Sequence, residues 1–217
     1  MSSLYSDRHV ALQEAFGSRP LADFLDKHHV RDDLSEADQA FVASRDFFFL
    51  STVDPDGMPS VSYKGGPKGL VRVLDARTIA FPGFDGNGMF LSFGNLDGQG
   101  KVGLLFIDFE TPHRLRAQGV ATLSTDDPLL GEWPGAQCVV RVALDKAWVN
   151  CPRYVHRHER VETSRYVPAA DGSAPLAEWK RLDFLQEALP DDEQRAAEQK
   201  GLIDLPAYEA KVATGTA

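Results

Sequence analysis

Residues 58–119 limit the fold of this chain more than any other part. They read MPSVSYKGGPKGLVRVLDARTIAFPGFDGNGMFLSFGNLDGQGKVGLLFIDFETPHRLRAQG. Short apolar and β-branched runs, broken by Gly, Pro and Asp turns, give three strands, a short helix and two more strands. Residues 58–64 alternate, with Ser60, Ser62 and Lys64 on one face and Val61 and Tyr63 on the other. Residues 70–74 and 78–81 pair across Asp75-Ala76-Arg77. Pro82-Gly83-Phe84-Asp85-Gly86-Asn87-Gly88 reads as a loop. After it, Met89, Phe90 and Phe93 fall at helical spacing, and Gly94-Asn95 can end the helix. Residues 101–108 form a near-continuous apolar run, as in a strand covered on both faces. Residues 113–124 alternate, with Arg114, Arg116 and Gln118 one way and Leu115, Ala117 and Gly119 the other. A lysine at a strand end and a Gly-Asn-Gly turn opening a helix together suggest a β-barrel with an anion site on its rim.

The flanks extend this pattern. Phe47-Phe48-Phe49-Leu50-Ser51-Thr52-Val53 is an apolar strand, and Asp54-Pro55-Asp56-Gly57 is the turn that returns it as a hairpin. Residues 137–150 form a last long strand. Seven closely spaced strands indicate a mainly β (α+β) fold, a barrel with helical additions at both ends. Residues 1–45 carry helical spacing at Leu12, Ala15 and Phe16, then Pro20 ahead of Leu21, Phe24 and Leu25. Ser35-Glu36-Ala37-Asp38 reads as a capping box with Asp in place of the usual Glu. Residues 153–217 form a C-terminal extension, irregular and then helical, expected to pack on the barrel. Its apolar stripe is Trp179, Leu182, Leu185 and Leu189. The expected division is therefore 1–45, 46–152 and 153–217.

Charge narrows the partners. The chain of 217 residues carries a net charge of -9, which argues against nucleic acid and anionic membranes. Yet residues 59–121 hold seven Lys or Arg against five Asp or Glu, +2, so the remainder carries -11. A locally basic barrel suits a small anionic ligand, although chance clustering on solvated strand faces gives the same count. No apolar run reaches the ~20 residues of a membrane span, and residues 1–14 lack the basic start and apolar core of a signal peptide. A cytoplasmic protein is expected. Cys138 and Cys151 fit no disulfide framework or zinc spacing. His28-His29 diverge on a helix, and His156 with His158 lacks a third ligand, so no metal site is expected.

Three segments are candidate binding elements. The Gly83-to-Gly88 loop ahead of a helix can present backbone N–H groups to phosphate, with Lys64 or Lys101 opposite. Such a loop need do no more than turn the chain. Arg114, Arg116 and Gln118 can hydrogen-bond a heterocycle or a carboxylate; equally, they make a solvated strand face. Trp148-Val149-Asn150-Cys151-Pro152-Arg153-Tyr154 joins aromatic and cationic groups at a strand end, where Trp148 reads more readily as core than as ligand wall. There is no G-x-S-x-G, Walker A or G-x-G-x-x-G motif. Any catalysis would rely on a bound cofactor.

The segments FFFLSTVDPDGMPSVSYKGG, TIAFPG, DGNGMF, KVGLLFIDF and HRLRAQGVATL, in that order, resemble the pyridoxamine 5′-phosphate oxidase-like family of flavin-binding split β-barrels. The resemblance covers about a third of the chain. It implies FMN bound at the interface of a homodimer and an oxidoreductase acting on a small molecule. A non-catalytic flavin- or haem-binding sensor or store on the same fold is the alternative. By position it implies that Ser62, Tyr63, Lys64, Phe81, Pro82, Asn87, Gly88 and Arg114 contact the cofactor, and Arg116 and Gln118 share the Arg114 face. Asn87 and Gly88 stand where the family's oxidase has an Arg-Lys pair for the phosphate. The C-terminal signature that grips pyridoxal phosphate is absent, with only Lys180-Arg181-Leu182-Asp183 faintly similar. That puts a vitamin B6 oxidase in doubt.

Overall fold

A computed structural model describes residues 4–217. Residues 1–3 of the expected N-terminal helical segment lie outside it. Two compact units are present; the first ends at Thr163 and the second is Ser164–Ala217.

The first unit is built on seven antiparallel strands: β1 Phe47–Val53, β2 Pro59–Gly65, β3 Arg72–Asp75, β4 Thr78–Phe84, β5 Lys101–Asp108, β6 His113–Ser124 and β7 Ala136–Asn150. Their order in the sheet is β2-β1-β5-β6-β7-β4-β3, so β2 and β3 are free edges and the ladder does not close. The sheet nevertheless wraps round. Phe48 of β1 and Phe81 of β4 have three strands between them, which would separate them by about 19 Å in a flat sheet. Their ring centroids are 4.9 Å apart. This is a split β-barrel. Its interior holds Phe48, Leu50, Ile79, Phe81, Leu104, Phe106, Leu115, Val140 and Val142, all at most 3% exposed. One face of each strand supplies this core, as alternation dictates.

Two local departures from the sequence reading matter. Strand β4 does not stop at Phe81. Pro82 pairs opposite Val139 and Gly83 opposite Cys138, so the loop starts only at Asp85. Strand β3 pairs with β4 only as far as Ala80, so Pro82 lies on a free edge on that side. The following helix, α4, is Leu91–Gln99. It begins after Phe90 and runs through Gly94-Asn95 to a left-handed Gly100 (φ +67°). Tertiary contact overrides the helix-stop signal: Asn95 Nδ2 donates to Thr52 Oγ1 at 3.0 Å, and Leu96 is 3% exposed.

Helices α1 Asp7–Ala15, α2 Arg19–His28 and α3 Glu36–Ala43 precede the barrel. The capping box on α3 forms as read: Asp38 N donates to Ser35 Oγ at 3.2 Å, and the Asp38 carboxylate accepts from Ser35 N at 3.0 Å. Its Val42 is fully buried. In contrast, α1 and α2 bury no residue, and Leu12, Phe16, Leu21 and Phe24 are all more than half exposed. They do not cover the barrel's outer face within one chain.

After β7, residues 157–160 are fastened to the barrel end. His158 N donates to Phe109 O at 3.0 Å and its ring stacks on Phe109 at 4.8 Å. Arg160 makes a two-pronged ion pair with Asp46.

The second unit contains 3₁₀ turns at Glu178–Arg181 and Asp183–Ala188, then α5 Asp191–Lys200 and α6 Leu205–Ala213. Glu178 is its electrostatic centre, 3% exposed. Arg181 approaches its carboxylate at 2.6 Å, Lys200 at 2.8 Å, Lys211 at 3.3 Å and Arg165 at 3.6 Å. Arg181 also donates to the carbonyls of Gly201 (2.7 Å) and Lys200 (3.2 Å). Lys180 is buried and paired with Glu193 at 2.5 Å. Lys180 and Arg181 thus spend their donors inside this unit, consistent with the faintness of the signature noted there.

Candidate functional site

The sequence-predicted residues separate into two groups on opposite faces of the sheet. The first gathers where α4 meets the inner face of β2. Ser62 and Lys64 point inward there, as their alternation requires. Ser62 Oγ lies 3.0 Å from Ser92 Oγ on the first turn of α4. Ser60 Oγ lies 3.1 Å from Thr52 Oγ1, which Asn95 engages in turn. This hydroxyl seam seats the helix against β1 and β2. Lys64 Nζ lies 4.6 Å over the Phe93 ring. Phe93 packs so closely on β4 that a Cβ at Gly83 would come within 2.8 Å of its ring and 2.4 Å of Cys138 Sγ. Glycine at 83 is what admits both.

Lys64 makes no hydrogen bond or ion pair among the described residues. Burial pulls its pKa below the usual 10.5, and the nearby Cys138 thiol opposes this only partly. Burial in turn pushes the Cys138 thiol up. An ammonium group withdrawn from water without a counter-charge is unfavourable and attracts an anion. The first turn of α4 adds to this, since no side chain caps it and its N–H groups carry the positive end of the helix dipole. At Gly86 and Gly88, in the loop before α4, a Cβ would stand in open space. Asn87 is occupied locally, its Oδ1 accepting from Met89 N at 3.1 Å. Phe81 is wholly within the barrel core and Pro82 is buried, so neither offers a side chain to a ligand.

The second group lies on the outer face. Antiparallel register sets Tyr63, Phe49, Leu105, Arg116 and Trp148 in one row across five strands. Val61, Ser51, Gly103, Gln118 and Lys146 form the next row. Tyr63 stacks on Phe47 at 5.4 Å and is 61% exposed. Burial, then the Asp46 carboxylate, raises its pKa. Arg114 is held by a 2.8 Å bond from Nη2 to Cys151 O, while its Nε and Asn150 Oδ1, opposite it in register, are buried without partners. Arg116 and Gln118 are exposed and make no hydrogen bond or ion pair among the described residues. Trp148 belongs to this face, beside Arg116, rather than to the core where its strand-end position had suggested it packs.

Sequence reasoning missed Ser92 and Phe93 as site residues. Their approach to Ser62 and Lys64 is a tertiary contact between residues distant in sequence, which local spacing does not show. No metal-binding group of three His, Cys, Asp or Glu side chains occurs among the described residues, and no helix among them is long and apolar enough to cross a membrane.

The HupZ protein of Group A Streptococcus superposes with a TM-score of 0.45 at 16% identity, covering 58% of this chain and 99% of that one. An FMN-binding protein of Syntrophomonas wolfei gives a TM-score of 0.38 at 16% identity, covering 64% of this chain and 97% of that one. No protein of curated function matches the sequence. The family model for pyridoxamine 5′-phosphate oxidase matches residues 34–151, a span that opens at the buried Leu34, takes in all seven strands and closes one residue past β7. On that match, over more than half of its length, the chain belongs to the pyridoxamine 5′-phosphate oxidase family.

Proposed function

We propose that this protein binds FMN and uses it as a flavin-dependent oxidoreductase on a small molecule, as a cytoplasmic homodimer. The observation that carries the reading is Lys64, a half-buried cation without a counter-ion, beside the Ser62–Ser92 hydroxyl pair and the uncapped first turn of α4. That donor set fits a phosphate monoester: one charge, two hydroxyls and free backbone N–H groups. It compensates for Asn87 and Gly88 standing where an Arg-Lys pair would serve. Family membership supplies FMN as the phosphate-bearing group. When bound, FMN supplies the capacity to accept hydride or electrons. The residues of this chain do the rest. Lys64 and Ser92 hold the phosphate, while Arg114, Arg116 and Gln118 offer donors to the polar edge of the ring.

The two groups point to opposite faces of the sheet, with β1 and β5 between β2 and β6. A two-fold dimer resolves this, because the outer face of one copy completes the phosphate site of the other. Exposed Val61 and Tyr63 on β2, and the uncovered apolar side of α1 and α2, supply the hydrophobic surface that such a dimer buries. FMN bound between subunits would stabilise the dimer by mass action.

Purified protein is expected to be yellow, or to take up added FMN, and NADH or NADPH should bleach the 450 nm band. A colourless protein that does not bind FMN removes the proposal. A Soret band would assign the same barrel to haem, and flavin that no reductant bleaches would leave a storage or sensing role. Analytical ultracentrifugation should show a dimer that tightens with FMN; a monomer binding one FMN per chain would exclude the shared site.

A further inference from the structure

Tyr154 stands in a backbone conformation that its side chain disfavours. Its φ is +68° and it is 87% exposed. Pro152-Arg153-Tyr154-Val155 is a β-turn closed by Val155 N donating to Pro152 O at 3.0 Å. Arg153 has no positive φ, so the positive φ sits at the third position alone, the pattern of a type II turn. Gly or Asn is the usual occupant there, because a Cβ crowds the backbone. Glycine would make this turn with less strain, and the Tyr154 ring adds nothing to the core. Phe90, the other non-glycine residue with positive φ among the described residues, is the N-cap residue of α4, where the chain turns into the helix. Among the described residues, the Tyr154 ring has the Arg153 guanidinium 5.9 Å from its centroid and no aromatic or hydrogen-bond partner. Strain kept at an exposed position points to a contact outside the isolated subunit.

The position of the turn indicates what that contact is. The turn follows β7 directly, and two bonds stiffen its entry: Arg114 Nη2 to Cys151 O at 2.8 Å, and Arg153 N to Cys151 Sγ at 3.4 Å. Arg114 shares its strand face with Arg116 and Gln118, the outer-face donors. A flat ring held by those donors would lie beside the turn.

We propose that Tyr154 is a wall of the flavin site, presented by a strained turn so that its phenol stacks on the flat heterocycle. This rests on the FMN reading above and adds a residue to it. Offset stacking of two aromatic systems rewards a rigid, pre-set ring. A phenol stacked on a flavin also quenches its emission, which gives a signal independent of turnover.

The test compares wild type, Tyr154→Gly and Tyr154→Phe by equilibrium dialysis with FMN, bound-flavin fluorescence and thermal melting. Tyr154→Gly should bind FMN about threefold to tenfold more weakly, and its bound flavin should be several-fold brighter. Its melting temperature should be unchanged or higher, since glycine relieves the turn. Tyr154→Phe should keep the affinity. If Tyr154→Gly binds and quenches like wild type, this inference fails while the FMN reading stands. If Tyr154→Gly melts lower, the ring is structural and the inference also fails. If wild type does not bind FMN, both fall together.

Discussion

In the barrel, Lys64 is half-buried against a phenyl ring and a thiol, with no ion pair among the described residues. In the C-terminal unit, Glu178 is 3% exposed and four cations converge on its carboxylate. Both groups are withdrawn from water, and each alone would be unfavourable. The C-terminal unit answers the cost internally. Its buried apolar residues are Leu182 and Ala197, with Trp179, Leu185 and Leu189 half-buried, so the ion network supplements a small apolar core. The barrel has an ample apolar core and leaves its cation unanswered. A saturated charge is structural, whereas an unsaturated one in an otherwise well-packed protein marks where a ligand completes the electrostatics. It is on this contrast that the proposed reading takes Lys64, and not the more basic cluster around Glu178, as the anion-binding group.

The largest effect that would break this contrast is at Glu178. Burial alone would push its carboxyl up, but hydrogen bonds from Lys200, Arg181 and Lys211 outweigh it and hold the pKa at about 2, against 4.5 unperturbed. A depressed carboxylate contributes stability that is fully present above the unfolded pKa and is lost as pH falls through the folded one. The C-terminal unit should therefore loosen between about pH 4.5 and about pH 2. Glu178→Gln should cost the unit about 3 kcal/mol at neutral pH, because the four cations that converge there lose their shared counter-charge. Hydrogen exchange across residues 178–200 reads this directly. Protection equal to wild type would mean that the network is ornamental.

At Lys64 the sign reverses. Lys64→Met should leave the ligand-free barrel as stable as wild type or more so, by up to about 1 kcal/mol, since it removes an unpaired cation and keeps the volume. The same change should weaken FMN binding by about 1–3 kcal/mol, the scale of a lost charge-assisted hydrogen bond. The pH dependence follows from the lowered pKa. Unfolded chain holds this proton up to about pH 10.5 while folded chain releases it earlier, so ligand-free stability rises with pH through that window. Lys64→Met removes the rise, and bound phosphate should restore the normal pKa and suppress it. Denaturant titrations at several pH values, with and without FMN, measure all three. A destabilised Lys64→Met variant with intact binding would make Lys64 a packing residue.

The barrel's strands were legible because each carries its own alternation and turn signal. Asp54 is an example: Oδ1 accepts from Asp56 N (3.0 Å) and Met58 N (2.8 Å), so the β1–β2 turn is encoded within five residues. The faces of β2 and β6 followed from a period of two. What stayed illegible depends on partners distant in sequence. The start of α4 is set by Phe90 in a left-handed conformation, and its length by Asn95 reaching Thr52, forty-three residues away. Glu178 looked like one acid among ten between residues 171 and 217, since nothing local shows that Arg165, Lys200 and Lys211 fold back onto it. Lys64 was visible as a strand-end lysine, but its lack of a counter-ion is a property of the assembled barrel.

The smallest expected effect is at Asp46 and Arg160, an ion pair intermediate between the two cases. The Arg160 hydrogen bond holds the Asp46 carboxyl below the usual carboxylate range despite its partial burial. Its contribution is present above the unperturbed 3.8 and fades as pH falls through the lowered value. Arg160 is 42% exposed, so water screens the pair and recovers the guanidinium when it breaks. Arg160→Ala should thus cost at most about 1 kcal/mol, less in high salt. Its consequence is local. The pair fastens residues 157–160 beside Phe109, where His158 N and ring are both engaged, and the Tyr154 turn hangs between this anchor and β7. Releasing one end should speed exchange of the His158 amide at least tenfold while the β5 and β6 amides stay protected. If the Tyr154 ring needs a fixed turn, FMN emission in Arg160→Ala should rise part of the way towards that of Tyr154→Gly. Unchanged exchange at His158 would show that the Phe109 contacts alone fasten the segment. A melting point lowered as far as in Glu178→Gln would show that an exposed ion pair carries as much of the barrel as a buried carboxylate carries of the C-terminal unit, and the contrast between them would fail.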